Sequence, residues 1–306
     1  MLKKILVLSG GISKEREISL ITGRQVYNAL KKMGYKAVLC EPDGNLINKI
    51  RTFKPDVVFN ALHGRFGEDG FVQSILESLK IPYTHSGVMS SSLAMDKELS
   101  RLIFIKNNLK VPKYFLLKKG EEKSFNKKII KKKIKYPIVI KPINEGSSLG
   151  VFICKNKKQF IRDYKKLTIS YDKILVEEYI PGKEIQVAIM GKKALGAIEL
   201  VPRRKFYDYK AKYSQAAKTK HLMPANLSPK KYKEVLFLAK KAHKVLGCKG
   251  ITRSDFRFFK NKFYLLELNT QPGMTKLSLV PEIASFSGIK FEDLVVWMTK
   301  DASCNR

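Results

Sequence analysis

ITRSDFRFFKNKFYLLELNTQPGMTKLSL, residues 251–279, holds two β-rich runs, 251–259 and 263–269, on either side of a polar Lys260-Asn261-Lys262 turn. That is the pattern of an antiparallel hairpin. Side chains alternate faces along a strand, so Arg253 shares a face with Asp255, and Glu267 with Asn269. With the turn centred on Asn261, Asp255 lies opposite Glu267. The two carboxylates and the Asn269 amide oxygen then form a set of hard donors suited to Mg²⁺ that also holds phosphates. A one-residue slip in register puts the carboxylates on opposite faces, and the alternative is then a solvated acidic pair. Thr270-Gln271-Pro272-Gly273-Met274-Thr275 follows at once, a turn whose backbone N–H groups can face a ligand beside the metals.

The chain has 306 residues, 44% hydrophobic and 28% charged, a composition that excludes disorder and allows two or three domains. MLKKILVLSGG imitates a signal peptide, but its apolar run is short and enters Gly10-Gly11, the mark of a buried strand meeting a turn. No run reaches the apolar length that spans a bilayer. Cys40, Cys154, Cys248 and Cys304 are scattered without a CxxC pair, as reduced thiols of a cytoplasmic protein are. The net charge of +33 invites a nucleic-acid reading. The lysines are nevertheless spread along the whole chain. In their densest cluster, residues 127–135, Ile129, Ile130 and Ile134 predict a helix with a solvated lysine face. Such a charge also gathers anionic substrates such as a nucleotide.

In chain order, residues 3–9 predict a buried parallel strand, 10–13 a tight turn and 17–33 a helix, the opening of a Rossmann-like unit. Ligands of such units bind beyond the carboxyl ends of the strands, where Glu15 falls. Strands over 35–40 and 56–62 follow, the latter ending in the loop His63-Gly64-Arg65-Phe66-Gly67-Glu68-Asp69-Gly70, a candidate ligand loop. For His63 a ligand role stands beside a purely local one. Helices are expected over 71–79 and 97–108. A strand over 136–142 delivers Lys141 to the loop Asn144-Glu145-Gly146-Ser147-Ser148-Leu149-Gly150, and a further strand follows. Backbone N–H groups and hydroxyls closing over an anion, with lysine supplying charge, can cradle a triphosphate. This is not a Walker A loop, since it runs into a strand. The strand over 174–179 carries Glu177 and Glu178, which singly read as surface acids. FYDYKAKY, residues 206–213, reads as an active-site lid offering Lys212 and Tyr213. Helices over 229–246 and 291–300 close the reading, with Trp297 expected in the core.

Taken together, GGISKEREISL, ALHGRFGEDG, the MDK of residues 95–97, IKPINEGSSLGV, FYDYKAKY, RSD and ELNTQPGMTKLSLVP resemble the D-alanine–D-alanine ligases of the ATP-grasp superfamily, in order and over essentially the whole chain. The resemblance implies an α/β fold with α+β elements: a Rossmann-like N-terminal domain (1–95), a small central domain (96–182) and a C-terminal domain with the metal hairpin and lid (183–306). It implies that ATP phosphorylates one D-alanine carboxylate and that the amine of a second attacks the acyl phosphate, for peptidoglycan precursor synthesis. Glu15 would hold the first substrate's ammonium, tied to Ser147 and Tyr213, with His63 beside its carboxylate. Lys97, Lys141 and Lys212 would bind phosphates, and Glu177, Tyr179, Ile180 and Glu184 the adenosine. Asp255, Glu267 and Asn269 would bind a pair of Mg²⁺ or Mn²⁺ ions. Arg253 and the Gly273 N–H would form an oxyanion hole, and Ser278 with Leu279 would receive the second carboxylate. The family also implies a homodimer, with neither nucleic acid nor membrane as partner.

In that family a lid tyrosine goes with D-alanine as acceptor and phenylalanine with D-lactate, so Tyr213 points to the dipeptide. His85 departs from the usual glycine, which predicts a local loop adjustment near a domain edge. Ser254 stands for the usual isoleucine and is expected to point away from the metals. A ligase with another acceptor and a basic nucleic-acid-binding protein remain the alternatives. The second has no use for the convergent acids Glu15, Asp255 and Glu267.

Overall fold

The computed structural model describes residues 3–201, 219–275 and 278–306, in three sheets. The first is parallel, in the order β2-β1-β3: β1 (Lys4–Leu8), β2 (Lys36–Cys40) and β3 (Val57–Asn60), connected through α1 (Arg16–Lys32) and α2 (Leu46–Phe53). Ile5, Leu6, Val7 and Leu8 are all buried, which is why the central strand reads as a continuous apolar run. Helices α3 (Phe71–Ser78), α4 (Val88–Met95) and α5 (Lys97–Lys106) follow.

The second sheet is antiparallel, β4-β7-β5-β6, from β4 (Tyr114–Lys118), β5 (Ile138–Pro142), β6 (Phe152–Cys154) and β7 (Lys173–Glu178). Helices α6 (Phe125–Lys131) and α7 (Lys157–Leu167) share its core, where Phe125 stacks on Phe160 at 3.8 Å between ring centroids. The lysine-rich helix is shorter than its spacing predicts. It ends in a Schellman turn, with Lys133 at φ +51°, Lys133 N bonded to Ile130 O and Ile134 N to Ile129 O. Ile134 therefore reaches the core from beyond the helix, and Ile130 is exposed.

The third sheet runs β10-β9-β8-β11-β12, from β8 (Lys183–Met190), β9 (Lys193–Val201), β10 (Lys220–Leu222), β11 (Ile251–Phe259) and β12 (Lys262–Asn269). Alternation splits β8 between two cores. Val187 and Ile189 pack with α8 (Pro229–Val245), and Ala188 packs with α9 (Leu279–Phe286) and α10 (Phe291–Asp301). The α9–α10 side is continuous with the first sheet: Ile5, Val7, Val26 and Leu30 share a core with Ile198, Ile283, Leu294 and Val295. Trp297 lies at the edge of this core, partly buried. Helices α2, α7 and α9 have no counterpart in the sequence reading.

Two residues with positive φ, Lys260 (+46°) and Asn261 (+63°), turn the hairpin, a pairing typical of tight turns that follow strand twist. Close to this turn Phe258 faces Phe263 and Phe259 faces Lys262, a register that if continued would set Asp255 against Leu266. A β-bulge between Asp255 and Phe256 absorbs Leu266, so Asp255 faces Glu267 and Arg253 faces Asn269. The expected pairing is present, but a bulge produces it rather than a turn centred on Asn261.

His85 lies in the loop between α3 and α4, as a buried wedge. It sits at φ +69°, 2% exposed, edge-on to Phe59, and its carbonyl accepts from Arg306 Nε at 2.5 Å. The positive φ explains why glycine suits this position. Burial, then Arg306 and His63, hold the imidazole at about 3 against an ordinary 6.5. Between these values the unfolded chain binds the proton and the folded chain does not. Stability complete above pH 6.5 is therefore lost as pH falls toward 3. Buried His243, held at about 4, acts in the same direction. For His85 alone the loss at pH 5 is about 2 kcal/mol. Denaturant midpoints at pH 8 and pH 5 check this: the gap should narrow by about that amount in His85→Gly, and an unchanged gap would refute the assignment.

Candidate active site

Two adjoining cavities, the first slightly the larger, open where the three sheets meet and share Lys97, Glu145 and Glu267. The larger lies between the second and third sheets. Lys141, Glu177, Tyr179, Ile180, Glu184 and Asp255 line it. The smaller lies at the carboxyl ends of the first sheet. Glu15, His63, Ser147, Arg253, Asn269 and Gly273 line it.

A buried cluster of charge lies in the larger cavity. Lys141, at the end of β5, pairs with Glu177 Oε1 at 2.8 Å, and Arg101 of α5 pairs with Glu177 Oε2. All three side chains are buried, so Glu177 is not the surface acid that its sequence suggests. Burial pushes the Glu177 carboxyl up, but Arg101 and Lys141 outweigh it and hold it below its ordinary value. Burial draws Lys141 below its ordinary value, against the pull of Glu177. Two cations thus share one carboxylate, with Glu267 adding to the field at Lys141, an arrangement whose cations suit an anionic ligand. Arg101 also donates to the carbonyl of the bulged Leu266 at 3.4 Å and lies over the Tyr114 ring. The sequence reading missed Arg101. Its signal is the i, i+4, i+7 spacing of Lys97, Arg101 and Phe104, which puts two cations on the buried face of α5.

Lys97 stands at the seam. As the first residue of α5, whose N-cap Asp96 accepts from Glu98 N and Leu99 N, it donates to the Glu145 carbonyl and lies 3.5 Å from Glu267 Oε2. Along β11, Arg253 grips Asp255 through two of its guanidinium nitrogens, Nε to Oδ1 at 2.7 Å and Nη2 to Oδ2 at 3.0 Å. Ser254 faces the other way, fully buried, as expected. Asp255, Glu267 and Asn269 offer two carboxylates and an amide oxygen on one face. Among the described residues no group of three His, Cys, Asp or Glu gathers for a metal. That donor set fits Mg²⁺ completed by substrate phosphates and water, not a closed protein cage.

In the smaller cavity, Glu15 is buried at the start of α1 and accepts from Ser147 Oγ, joining the first-sheet loop to the loop after β5. His63 bridges Thr22 Oγ1 at 3.0 Å and Glu68 Oε1 at 3.1 Å. The turn carrying Gly273 is pinned to β3, because Asn60 Nδ2 donates to Gln271 Oε1 at 2.8 Å and Gln271 Nε2 to Leu62 O, all buried. A Cβ on Gly273 would come within 2.8 Å of Ser278 Oγ. Ser278 precedes α9, and Leu279 buries its side chain in the core, so only its backbone N–H is available to a ligand. Lys212 and Tyr213 lie outside the described residues.

Residues 103–300 match the sequence profile described as the D-ala D-ala ligase C-terminus, and residues 44–86 that of the D-ala D-ala ligase N-terminus. The chain is 62% identical over 306 residues to a D-alanine–D-alanine ligase of Pelagibacter ubique, covering all of both chains. With the ligase of Paramagnetospirillum magneticum it shares 42% over 315 residues, again covering both completely. The crystal structure of a Bacillus anthracis D-alanine–D-alanine ligase complexed with ATP superposes with a TM-score of 0.85 at 30% identity, covering 98% of this chain and 97% of that one.

Arg101→Met leaves Glu177 buried with a single cation. The variant should lose about 3 kcal/mol of stability in denaturant unfolding, the usual effect of breaking a buried ion pair. A loss below about 1 kcal/mol would show that Lys141 alone satisfies Glu177.

Proposed function

The chain belongs to the D-alanine–D-alanine ligase family, ATP-dependent enzymes of ATP-grasp fold that join two D-alanines, and we propose that its reaction runs through an acyl phosphate formed at the seam of the two cavities. The observation that carries this reading is the sharing of Lys97, Glu145 and Glu267 by two adjoining cavities, one between the second and third sheets and one at the carboxyl ends of the first. Chemistry between two bound substrates needs such a junction.

The first D-alanine rests its ammonium on Glu15, with His63 beside its carboxylate. Tyr179, Ile180 and Glu184 take the adenosine. The carboxylate attacks the γ-phosphorus of ATP and ADP leaves, while Lys97 and Lys141, with Lys212 of the lid, offset charge on the phosphoryl oxygens. Asp255, Glu267 and Asn269 would hold Mg²⁺ or Mn²⁺, which supplies charge neutralisation at those oxygens when bound. The amine of the second D-alanine, its carboxylate against Ser278 and the Leu279 N–H, then attacks the acyl carbon. Arg253 and the Gly273 N–H receive the developing oxyanion, and phosphate leaves. Arg253 must loosen its grip on Asp255 to do so. Closure by Tyr213 over Ser147 and Glu15 excludes water, and the tyrosine favours an amine acceptor.

The same reading divides the chain at residues 1–95, 96–182 and 183–306 and makes it a cytoplasmic homodimer. No helix among the described residues is long and apolar enough to cross a membrane, and α5 carries an exposed apolar ridge of Leu99, Leu102 and Ile105 suited to a partner surface.

Phosphate release from Mg-ATP should depend on D-alanine and not on L-alanine, with D-alanyl-D-alanine among the products. Release indifferent to D-alanine would overturn the reading. Glu267→Gln should keep the fold by circular dichroism and lose about 10²-fold or more in turnover. Near-normal turnover in that variant would remove the hairpin face from the mechanism.

A further inference from the structure

We propose that Lys14, Tyr171 and Glu145 form a latch across the mouth of the cleft that holds the loop over residues 143–150 shut while the acyl phosphate waits for the second amine. The inference rests on the ligase reading above. Lys14 belongs to the β1–α1 loop, Tyr171 follows α7 on the second sheet, and Glu145 lies on the loop after β5. Lys14 Nζ donates to Tyr171 Oη at 3.1 Å, and Tyr171 Oη donates to Glu145 Oε1 at 2.8 Å. The ammonium stands 3.7 Å from the same carboxylate oxygen.

The position of this contact gives it a consequence for the site. Lys14 adjoins Glu15, and Glu145 is separated from Ser147 by Gly146 alone, so the contact lies just outside the Glu15–Ser147 hydrogen bond. Glu145 is gripped from both sides: inside the cleft its carbonyl accepts from Lys97, and at the mouth its carboxylate meets the latch. The core of the second sheet is built of its own residues, from Phe115 to Val176. That sheet therefore meets the first-sheet loops through polar contacts, which can open and re-form. Tyr171 suits the hinge side, because its ring packs against that core while its hydroxyl faces Lys14. Its hydrogen bond raises the pKa of Lys14 over the opposing effect of burial, with Glu145 adding to the rise, so the ammonium stays charged.

Lys14 is 65% exposed, and exposed pairs of this kind shift an equilibrium by about 1.5- to 5-fold. An open cleft admits water, which attacks the acyl phosphate in place of the amine and returns D-alanine and inorganic phosphate. One ATP is then spent without a peptide bond. The latch is a positioning device, and its signature is uncoupling rather than loss of turnover.

The test compares phosphate released with D-alanyl-D-alanine formed, in the full-length protein with Mg-ATP and D-alanine. Phosphate release unmatched by dipeptide should rise about 1.5- to 5-fold in Lys14→Met and in Tyr171→Phe. The double variant should match Lys14→Met, because that substitution already removes both contacts across the mouth, whereas Tyr171→Phe leaves Lys14 facing Glu145. Lys49→Met, which removes a comparable surface pair with Asp43 away from the cleft, should stay at the wild-type level. Wild-type unmatched release in both latch variants, with a wild type that makes dipeptide, overturns the latch alone. A wild type whose phosphate release ignores D-alanine overturns the ligase reading and the latch with it.

Discussion

The pairing of Asp255 with Glu267 across the hairpin is the constraint on which the site depends. Strand side chains have a period of two, so no intermediate arrangement exists: the carboxylates share a face or they do not. The tight turn at Lys260 and Asn261 sets one register, and the bulge at Leu266 changes it before the functional residues are reached. The bulge does more than correct alignment. It takes the Leu266 carbonyl out of the ladder, and Arg101 donates to that carbonyl while holding Glu177. Hairpin geometry and the charge of the larger cavity are thereby tied through one arginine.

The buried cations of the cleft suit ligands with several negative oxygens, as the proposed reaction requires. Arg101 and Lys141 share Glu177, and Lys97 divides its contacts between the Glu145 carbonyl and Glu267. Positive charge held in a buried place is costly unless an anion completes it, and polyphosphate does so. The net charge of +33 is spread over the whole chain, so it is a separate matter from the paired charges of the cleft.

The elements with the strongest patterns were legible in the sequence: the apolar run of β1, the hairpin, the glycine-serine loop after Lys141 and the loop after β3. What escaped depended on contacts between segments far apart in the chain. Glu177 looks like a surface acid because nothing near it announces Arg101, 76 positions away. The helix of residues 127–135 was read too long, because three isoleucines at helical spacing do not reveal that Ile134 arrives through a Schellman turn. The loop at His85 is legible, but its burial against Phe59 and Arg306 is not, because those partners are distant in the chain. The continuous core between the first and third sheets was equally invisible to a reading that took the domains in turn.

The central claim is that the phosphoryl group passes from ATP to D-alanine at the seam between Lys97 and Glu267. Positional isotope exchange tests it most directly. ATP labelled with ¹⁸O in its β,γ-bridge, incubated with the protein, Mg²⁺ and D-alanine, should scramble the label into non-bridging β positions as phosphoryl transfer reverses. The account predicts scrambling that requires D-alanine. Scrambling without D-alanine, or none in its presence while dipeptide accumulates, would contradict it.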